Sequence, residues 1–223
     1  EDAVPPTGAA RVTLTEGEPA YEILEGVAWD AVSWEDRVAA LAQQADTVCF
    51  GTLAQRCETS RSALQRFVAE TSDGCLKVLD LNFRQQYHSQ EVVRGSLCFA
   101  DLLKLSQDEL PILRDYLEGA EDDTVFLLDL LELFRIERVV LTLGAQGCRV
   151  VSPEGDFHVP AESQKVLNTV GAGDAFTAAF VLNFLAGEDV RTCAERANRA
   201  GGYATTQDSA TPDFPEAFRV FLN

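Results

Sequence analysis

The stretch Asn168-Thr169-Val170-Gly171-Ala172-Gly173-Asp174, running into an almost unbroken apolar segment from Ala175 to Ala186, decides the reading of this chain. It predicts a helix with two glycines at its start and a carboxylate just inside it. Glycine lets backbone approach a ligand closely and take up conformations closed to other residues. The first turn of a helix supplies N–H groups without partners and the positive end of the macrodipole, which together bind anions. An Asp in a first turn also favours the dipole by about 0.3–1 kcal/mol, whatever else it does. That ordinary role accounts for Asp174 but leaves the glycine pair beside it unexplained. A loop that handles phosphate accounts for both.

Outward from this segment, strand and helix signals alternate as in a parallel α/β sheet. Thr47 to Gly51, Leu76 to Asp80, Leu102 to Leu105 and Arg138 to Leu143 read as buried strands. A helix is expected over about Ser60 to Glu70, capped by Thr59 or Ser60, with Leu64, Phe67 and Val68 on one face. Another follows Ser106. Residues 147–152 and 157–160 read as a hairpin around Pro153-Glu154-Gly155-Asp156. Helices are expected at Ala175–Ala186, Val190–Thr205 and Phe214–Leu222. At the other end, Arg11 to Thr15 alternates with period two, Glu16-Gly17-Glu18-Pro19 turns, and Ala20 to Ile23 extends again. This hairpin stands apart from the α/β repeat, as a plain edge hairpin or as a lid over a cleft.

Polar residues gather where the expected strands end, the edge at which open parallel sheets bind ligands. Asp80, Asn82 and Arg84 follow one strand; Lys104, Ser106 and Glu109 follow the next; Thr142-Leu143-Gly144-Ala145-Gln146-Gly147 follows the third. Each is ordinary alone, because loops after strands are usually polar. Their convergence with Gly171 to Asp174 on one edge is what marks a site.

Composition narrows the partners. The 223 residues carry 18 Lys+Arg against 36 Asp+Glu, a net charge of −18. Such a charge repels nucleic acid and anionic membranes, so neither is expected as a partner. Bound phosphate must then be held by local N–H groups, a metal ion and a few cations. Six scattered cysteines without a Cys-x-x-Cys pair read as reduced, mostly packed thiols of a cytoplasmic protein. Two histidines make a histidine triad or metal cluster an unpromising reading. Methionine is absent even from position 1, so the chain is expected to be part of a longer product.

These residues resemble the ribokinase-like sugar kinases, also called the phosphofructokinase B family, and its fructokinase-like branch fits best. The resemblance rests on Asn168-Thr169-Val170-Gly171-Ala172-Gly173-Asp174 and on further short motifs in the family's order. These are Pro6-Thr7-Gly8, Val27-Ala28-Trp29-Asp30, Asp80-x-Asn82-x-Arg84, Lys104-Leu105-Ser106-x-x-Glu109, Thr142-x-Gly144-x-x-Gly147 and Ala197-Asn198. It implies a three-layer α/β/α sandwich with a mainly parallel central sheet. Residues 1–26 would be the remnant of a small β lid and 27–223 the nucleotide-binding and catalytic core.

The implied reaction is transfer of the γ-phosphoryl group of ATP to a sugar hydroxyl, with fructose first and ribose, ketodeoxygluconate or a nucleoside as rival acceptors. A non-catalytic regulatory relative is the reading from another class. By the resemblance, Asp174 is the general base and Gly171, Ala172 and Gly173 supply the anion hole. Asn82, Arg84, Lys104, Thr142, Gly144, Gly147 and Asn198 face the nucleotide. Glu109 orients Mg2+ through water, and K+ often sits beside the anion hole in the family, on carbonyls near Asn168 and the 209–212 loop. A homodimer through the lid hairpin is a further expectation. Ser106 stands where many members have Asn, Asn168 where many have Asp, and Gln207 to Ala210 departs from the usual Gly-Ala. The family's N-terminal section, with its Gly-Gly sugar motif and early Asp, is not in this sequence.

Overall fold

Strands and helices alternate through most of a computed structural model that describes residues 5–15 and 18–218. The chain divides into two compact units, Glu1–Asp101 and Leu102–Asn223.

The first unit opens with an antiparallel hairpin of β1 (Ala10–Thr15) and β2 (Glu18–Ile23), with Ala10 opposite Ile23 and Thr15 opposite Glu18. The expected hairpin is thus present, one residue longer at its start and two at its return. After a 3-10 turn at Ala28–Asp30 come α1 (Asp36–Gln44), β3 (Thr47–Phe50), α2 (Glu58–Ala69), β4 (Leu76–Asp80) and α3 (Gln90–Leu97). β3 and β4 run parallel, Thr47 beside Leu76 and Phe50 beside Leu79. Gly51 ends β3 because a Cβ there would lie 2.8 Å from the Asp80 carbonyl oxygen. Val68, Val78, Leu79, Leu81, Val93 and Leu97 are buried and form the apolar interior of this unit.

The expected cap of α2 is corrected. The helix starts at Glu58, and Cys57 occupies the N-cap without a side-chain bond. Ser60 is buried inside the helix, where its hydroxyl donates to the Trp29 carbonyl (2.7 Å) and accepts from the Val32 N–H (2.9 Å). A hydroxyl that ties down a neighbouring segment in this way is spent on tertiary structure, so it does not cap its own helix.

The second unit contains β5 (Leu102–Ser106), α4 (Leu110–Leu117), α5 (Asp123–Phe134), β6 (Arg138–Thr142), β7 (Cys148–Ser152), β8 (Gly155–Val159), α6 (Ala172–Leu185) and α7 (Val190–Thr205). β5 and β6 are parallel, with Leu102 beside Arg138 and Ser106 beside Thr142. β7 and β8 continue antiparallel from β6, and the 153–154 turn is tighter than expected because Gly155 already pairs with Ser152. Leu103, Leu105, Val139, Val140, Val150 and Val151 are all buried. Apolar runs without alternation are what strands covered on both faces require. Phe126, Leu127 and Leu130 of α5 and Phe176, Phe180 and Val181 of α6 are buried as well.

α6 begins three residues before the expected Ala175, and α7 matches its expected span. The two helices approach closely at Gly201, where a Cβ would lie 3.1 Å from the Ala172 carbonyl oxygen. The helix expected over 214–222 is a short 3-10 turn, Glu216–Phe218, and residues 219–222 of it lie outside the described residues. Phe214 and Phe218 pack on Tyr203 with ring centroids 5.3 and 5.2 Å away, so aromatic contact holds this segment. All six cysteines are free thiols; Cys75, Cys148 and Cys193 are buried, whereas Cys49 and Cys98 are exposed, so the expectation of mostly packed thiols holds for part of the set.

Candidate functional site

The start of α6 is held by a glycine that no other residue could replace without strain. Gly171 is the N-cap at φ 83°, in the left-handed region, and a Cβ there would lie 2.1 Å from the Ala210 carbonyl oxygen. Both conditions admit glycine alone. Asn168 shapes the approach: its Oδ1 accepts the Val170 N–H at 3.0 Å, while the N–H groups of Leu167 and Asn168 donate to the Thr205 carbonyl. Ala172, Gly173 and Asp174 form the first turn, whose N–H groups have no intrahelical acceptor by the geometry of a helix start, although the Ala172 N–H donates to the Thr169 carbonyl of the preceding loop at 3.3 Å. The Asp174 side chain is exposed there.

Gly173 has a different reason to be glycine. It lies outside the left-handed region, and a Cβ on it would sit 3.3 Å from Nζ of Lys104. Lys104, the middle residue of β5, is buried. The ammonium of a strand residue is thereby brought against the opening turn of α6. The Thr177 hydroxyl donates to the Gly173 carbonyl at 3.0 Å and steadies the same turn.

The loops after β5 and β6 are joined to each other. Gln107 N–H donates to the Thr142 carbonyl (2.9 Å), and the Thr142 hydroxyl donates to the Leu105 carbonyl (3.3 Å). Glu109 is buried at the start of α4, where its Oε2 accepts the Ser106 N–H at 2.7 Å and its own N–H donates to the Ser106 carbonyl at 3.1 Å. One carboxylate oxygen therefore organises the loop itself. Among the described residues no group of three His, Cys, Asp or Glu side chains could hold a metal ion. A single buried carboxylate fits Mg2+ as an outer contact through water, since that ion keeps much of its hydration and takes its other oxygens from phosphates.

Gly144 and Gly147 carry φ values of 57° and 97° around a 3-10 turn at Gly144–Gln146, closed by Leu143 N–H to the Gly147 carbonyl (2.7 Å). Gly147 also abuts the end of β8, since a Cβ would fall 2.1 Å from the Val159 carbonyl oxygen. Asn198 of α7 reaches this same segment. It is buried and its Nδ2 donates to the Val159 carbonyl (2.9 Å), with a longer bond to the Pro160 carbonyl (3.4 Å). Cys148 next to Gly147 is wholly buried, and burial pushes its thiol up to about 12. It is a packed thiol rather than a nucleophile.

Asn82 and Arg84 belong to the first unit, in the loop after β4. Asn82 and Gln85 hold positive φ values of 43° and 48°, uncommon outside glycine and tolerated best by Asn. Arg84 is exposed and donates from Nη1 to the Phe83 carbonyl at 3.1 Å, while Gln85 Oε1 accepts the Ile23 N–H at 3.1 Å. Of the most elaborate cluster of this unit, the motif ending at Asp30 marked one member but not its partner Arg56. Arg56 donates from Nε and Nη2 to both carboxylate oxygens of Asp30 (2.7 Å each) and from Nη2 to the Leu24 carbonyl (2.6 Å). Its guanidinium lies over the Tyr87 ring at 4.4 Å. Two side chains 26 residues apart carry no local signal of such a pairing.

Known proteins share this fold. An uncharacterized sugar kinase of Pyrococcus horikoshii is 26% identical over 212 residues, covering 92% of this chain and 64% of its own. Its crystal structure superposes with a TM-score of 0.76 at 24% identity, covering 94% of this chain and 67% of that one, and a second structure of it contains ATP. The aminoimidazole riboside kinase of Salmonella typhimurium is 32% identical over 161 residues, 66% of this chain and 48% of that kinase. A fructokinase of Vibrio cholerae, solved with fructose, ADP and calcium, gives a TM-score of 0.76 at 25% identity, covering 94% of this chain and 70% of that one. This chain thus spans less than two thirds of the length of the Pyrococcus and Salmonella proteins. The fold is ribokinase-like α/β. Residues 2–217 match the description pfkB family carbohydrate kinase over nearly their whole extent, and the chain belongs to that family.

Proposed function

We propose that the protein is an ATP-dependent sugar kinase with fructose as its acceptor. The observation that carries this reading is the opening of α6, where an obligatory glycine at 171 sets a first turn of N–H groups without intrahelical acceptors beside an exposed Asp174 and the buried Lys104. In the reaction, the Asp174 carboxylate takes the proton of the sugar hydroxyl as that oxygen attacks the γ-phosphorus. The bond from the γ-phosphorus to the β,γ-bridging oxygen breaks, and ADP leaves with the electron pair. Little covalent work falls to the protein, so placement of the hydroxyl counts for more than basicity. The N–H groups of Gly171, Ala172 and Gly173 receive the charge on the equatorial oxygens.

The loop carrying Thr142, Gly144 and Gly147 shapes the nucleotide site in this proposal, with Lys104 at its phosphate end and Asn198 fixing its wall. Glu109 holds the water shell of Mg2+, which, when bound to the nucleotide, offsets the charge of its phosphates. K+ belongs beside the anion hole on carbonyls near Asn168 and the 209–212 loop, whose Ala210 carbonyl already faces Gly171. Support for the acceptor comes from likeness to a fructokinase, against which the likeness to an aminoimidazole riboside kinase sets a nucleoside-like acceptor as the rival.

Initial rates of ATP consumption by the full-length protein with fructose, ribose, ketodeoxygluconate and adenosine test the reading. Fructose is expected to give the highest kcat/KM. A different leader would replace fructose, and no turnover with any acceptor would remove the kinase reading. Asp174→Asn is expected to lose most turnover while retaining ATP binding by calorimetry. Near-normal turnover in that variant would refute Asp174 as the base.

A further inference from the structure

The end of α7 and the segment that follows it are fastened together by side chains. Residues 208–211 are exposed, so burial does little to fix the loop that leaves this helix. Beyond the loop the chain returns to α7. Phe214 and Phe218 set their rings 5.3 and 5.2 Å from the Tyr203 ring and 5.5 Å from each other, spacings at which aromatic rings attract beyond the area they bury. The Tyr203 hydroxyl donates to the Asp213 carbonyl at 3.2 Å, so the ring and hydroxyl of one side chain hold neighbouring points of the returning segment. One turn earlier in α7, the Arg199 guanidinium lies over the Phe218 ring at 5.8 Å.

This latch closes the loop that carries Ala210, whose carbonyl oxygen occupies the space of a Gly171 Cβ. The same end of α7 also holds the approach to α6 directly, since the Thr205 carbonyl accepts from the Leu167 and Asn168 N–H groups at 2.8 and 3.2 Å. The segment entering α6 is therefore gripped twice, once by Thr205 and once through the 206–213 loop. The φ of 83° at Gly171 sets the direction of the N–H groups that follow. A carbonyl packed against that glycine can fix the turn only if its own loop is held.

We propose that Tyr203 is a positioning residue for the opening turn of α6, holding the 206–213 loop so that the Ala210 carbonyl keeps Gly171 in place. This rests on the kinase reading, in which that turn receives the charge of the phosphoryl group. Tyr203 takes no part in the chemistry and acts only through the loop. Misplacing such a turn by about 1 Å costs up to about 100-fold in rate. The loss falls on kcat and leaves the KM for ATP nearly unchanged, because the turn counts most as charge redistributes in the transition state.

Initial rates and hydrogen exchange on the full-length protein test the latch. Tyr203→Ala is expected to lower kcat about 10- to 100-fold with little change in the KM for ATP, and Phe214→Ala to lower it in the same direction. Tyr203→Phe keeps the rings together and should recover most of the kcat that Tyr203→Ala loses. The double variant of Tyr203→Ala and Phe214→Ala should be no slower than Tyr203→Ala alone, because both open one latch. Losses that multiply, a normal kcat in Tyr203→Ala, or a Tyr203→Phe enzyme as slow as Tyr203→Ala would each overturn the proposal. Exchange followed by mass spectrometry without substrate supplies a readout apart from turnover. Tyr203→Ala should speed exchange over residues 171–178, where the Ala175 N–H donates to the Gly171 carbonyl at 2.9 Å, while residues 191–199 of α7 keep their protection. Faster exchange along α7 with 171–178 unaltered would show a side chain that only stabilises its own helix, and the proposal would fall. Phe214 is exposed, so Phe214→Ala carries the same measurements if Tyr203→Ala fails to fold. A wild type that phosphorylates no acceptor removes the kinase reading, and exchange then still decides whether Tyr203 holds the turn. Unaltered exchange over 171–178 in an active enzyme removes the latch alone.

Discussion

Gly171 carries two independent demands, a left-handed φ of 83° and the Ala210 carbonyl in the space of its missing Cβ. Relief of one would leave the other, so Gly171→Ala is expected to cost about 1–3 kcal/mol in backbone strain alone and to misplace the turn that follows. Denaturant unfolding and initial rates should both register it; a variant equal to wild type in both would show that the turn relaxes freely. At Asp30 the electrostatics are legible in pH. The Arg56 guanidinium, hydrogen-bonded to it, holds the Asp30 carboxyl below its ordinary value of 3.8. A carboxylate lowered on folding adds stability above its unfolded value and loses it as pH falls through the folded one. Asp30→Asn should therefore cost about 3–5 kcal/mol near neutral pH, because it leaves a buried guanidinium without its counter-charge. The gap between variant and wild type should shrink below about pH 4. Urea midpoints at several pH values check this, and a gap independent of pH would remove the pair from the stability of the protein.

Among elements, α7 shows how a residue singled out by motif finds its place only in the fold. Asn198 was expected at the nucleotide; its amide donates to the Val159 and Pro160 carbonyls, at the end of β8 against which Gly147 packs. Asn198→Ala leaves those carbonyls short of a donor in a buried place and is expected to cost about 1–3 kcal/mol. If Asn198 acts only by fixing this wall, thermal unfolding shifts more than the KM for ATP; the reverse pattern would argue for direct contact with the nucleotide. β6 and α7 were legible because an unbroken apolar run and a helical apolar face are local patterns. α1, α3 and α5 carry no such sustained pattern. α5, Asp-Thr-Val-Phe-Leu-Leu-Asp-Leu-Leu-Glu-Leu-Phe, is apolar nearly all round and gives no clear face. α1 and α3 are short, and the Ser89 cap of α3, accepting from Val92 N–H at 3.3 Å, is a local signal of its start.

Across the whole molecule, the charge of −18 still argues against nucleic acid and anionic membranes as partners. No helix among the described residues is long and apolar enough to cross a membrane. The β1–β2 hairpin forms a sheet of two strands by itself, so each strand keeps an outer edge able to pair with another copy. We propose a homodimer through this hairpin; sedimentation should show a dimer that deletion of residues 10–23 converts to monomer, and an unchanged dimer would move the interface elsewhere.

The sequence by itself determined the α/β alternation, the hairpins and the glycine-rich opening of α6, because each is written in residues close together along the chain. The same motifs carry the resemblance to the pfkB carbohydrate kinases, the family to which the chain belongs. Only the tertiary structure decided that Gly173 faces Lys104, that Asn198 and Gly147 meet at one segment, and that Arg56 grips Asp30. Those contacts join residues dozens of positions apart, and their energies depend on burial and distance, which neither periodicity nor composition carries.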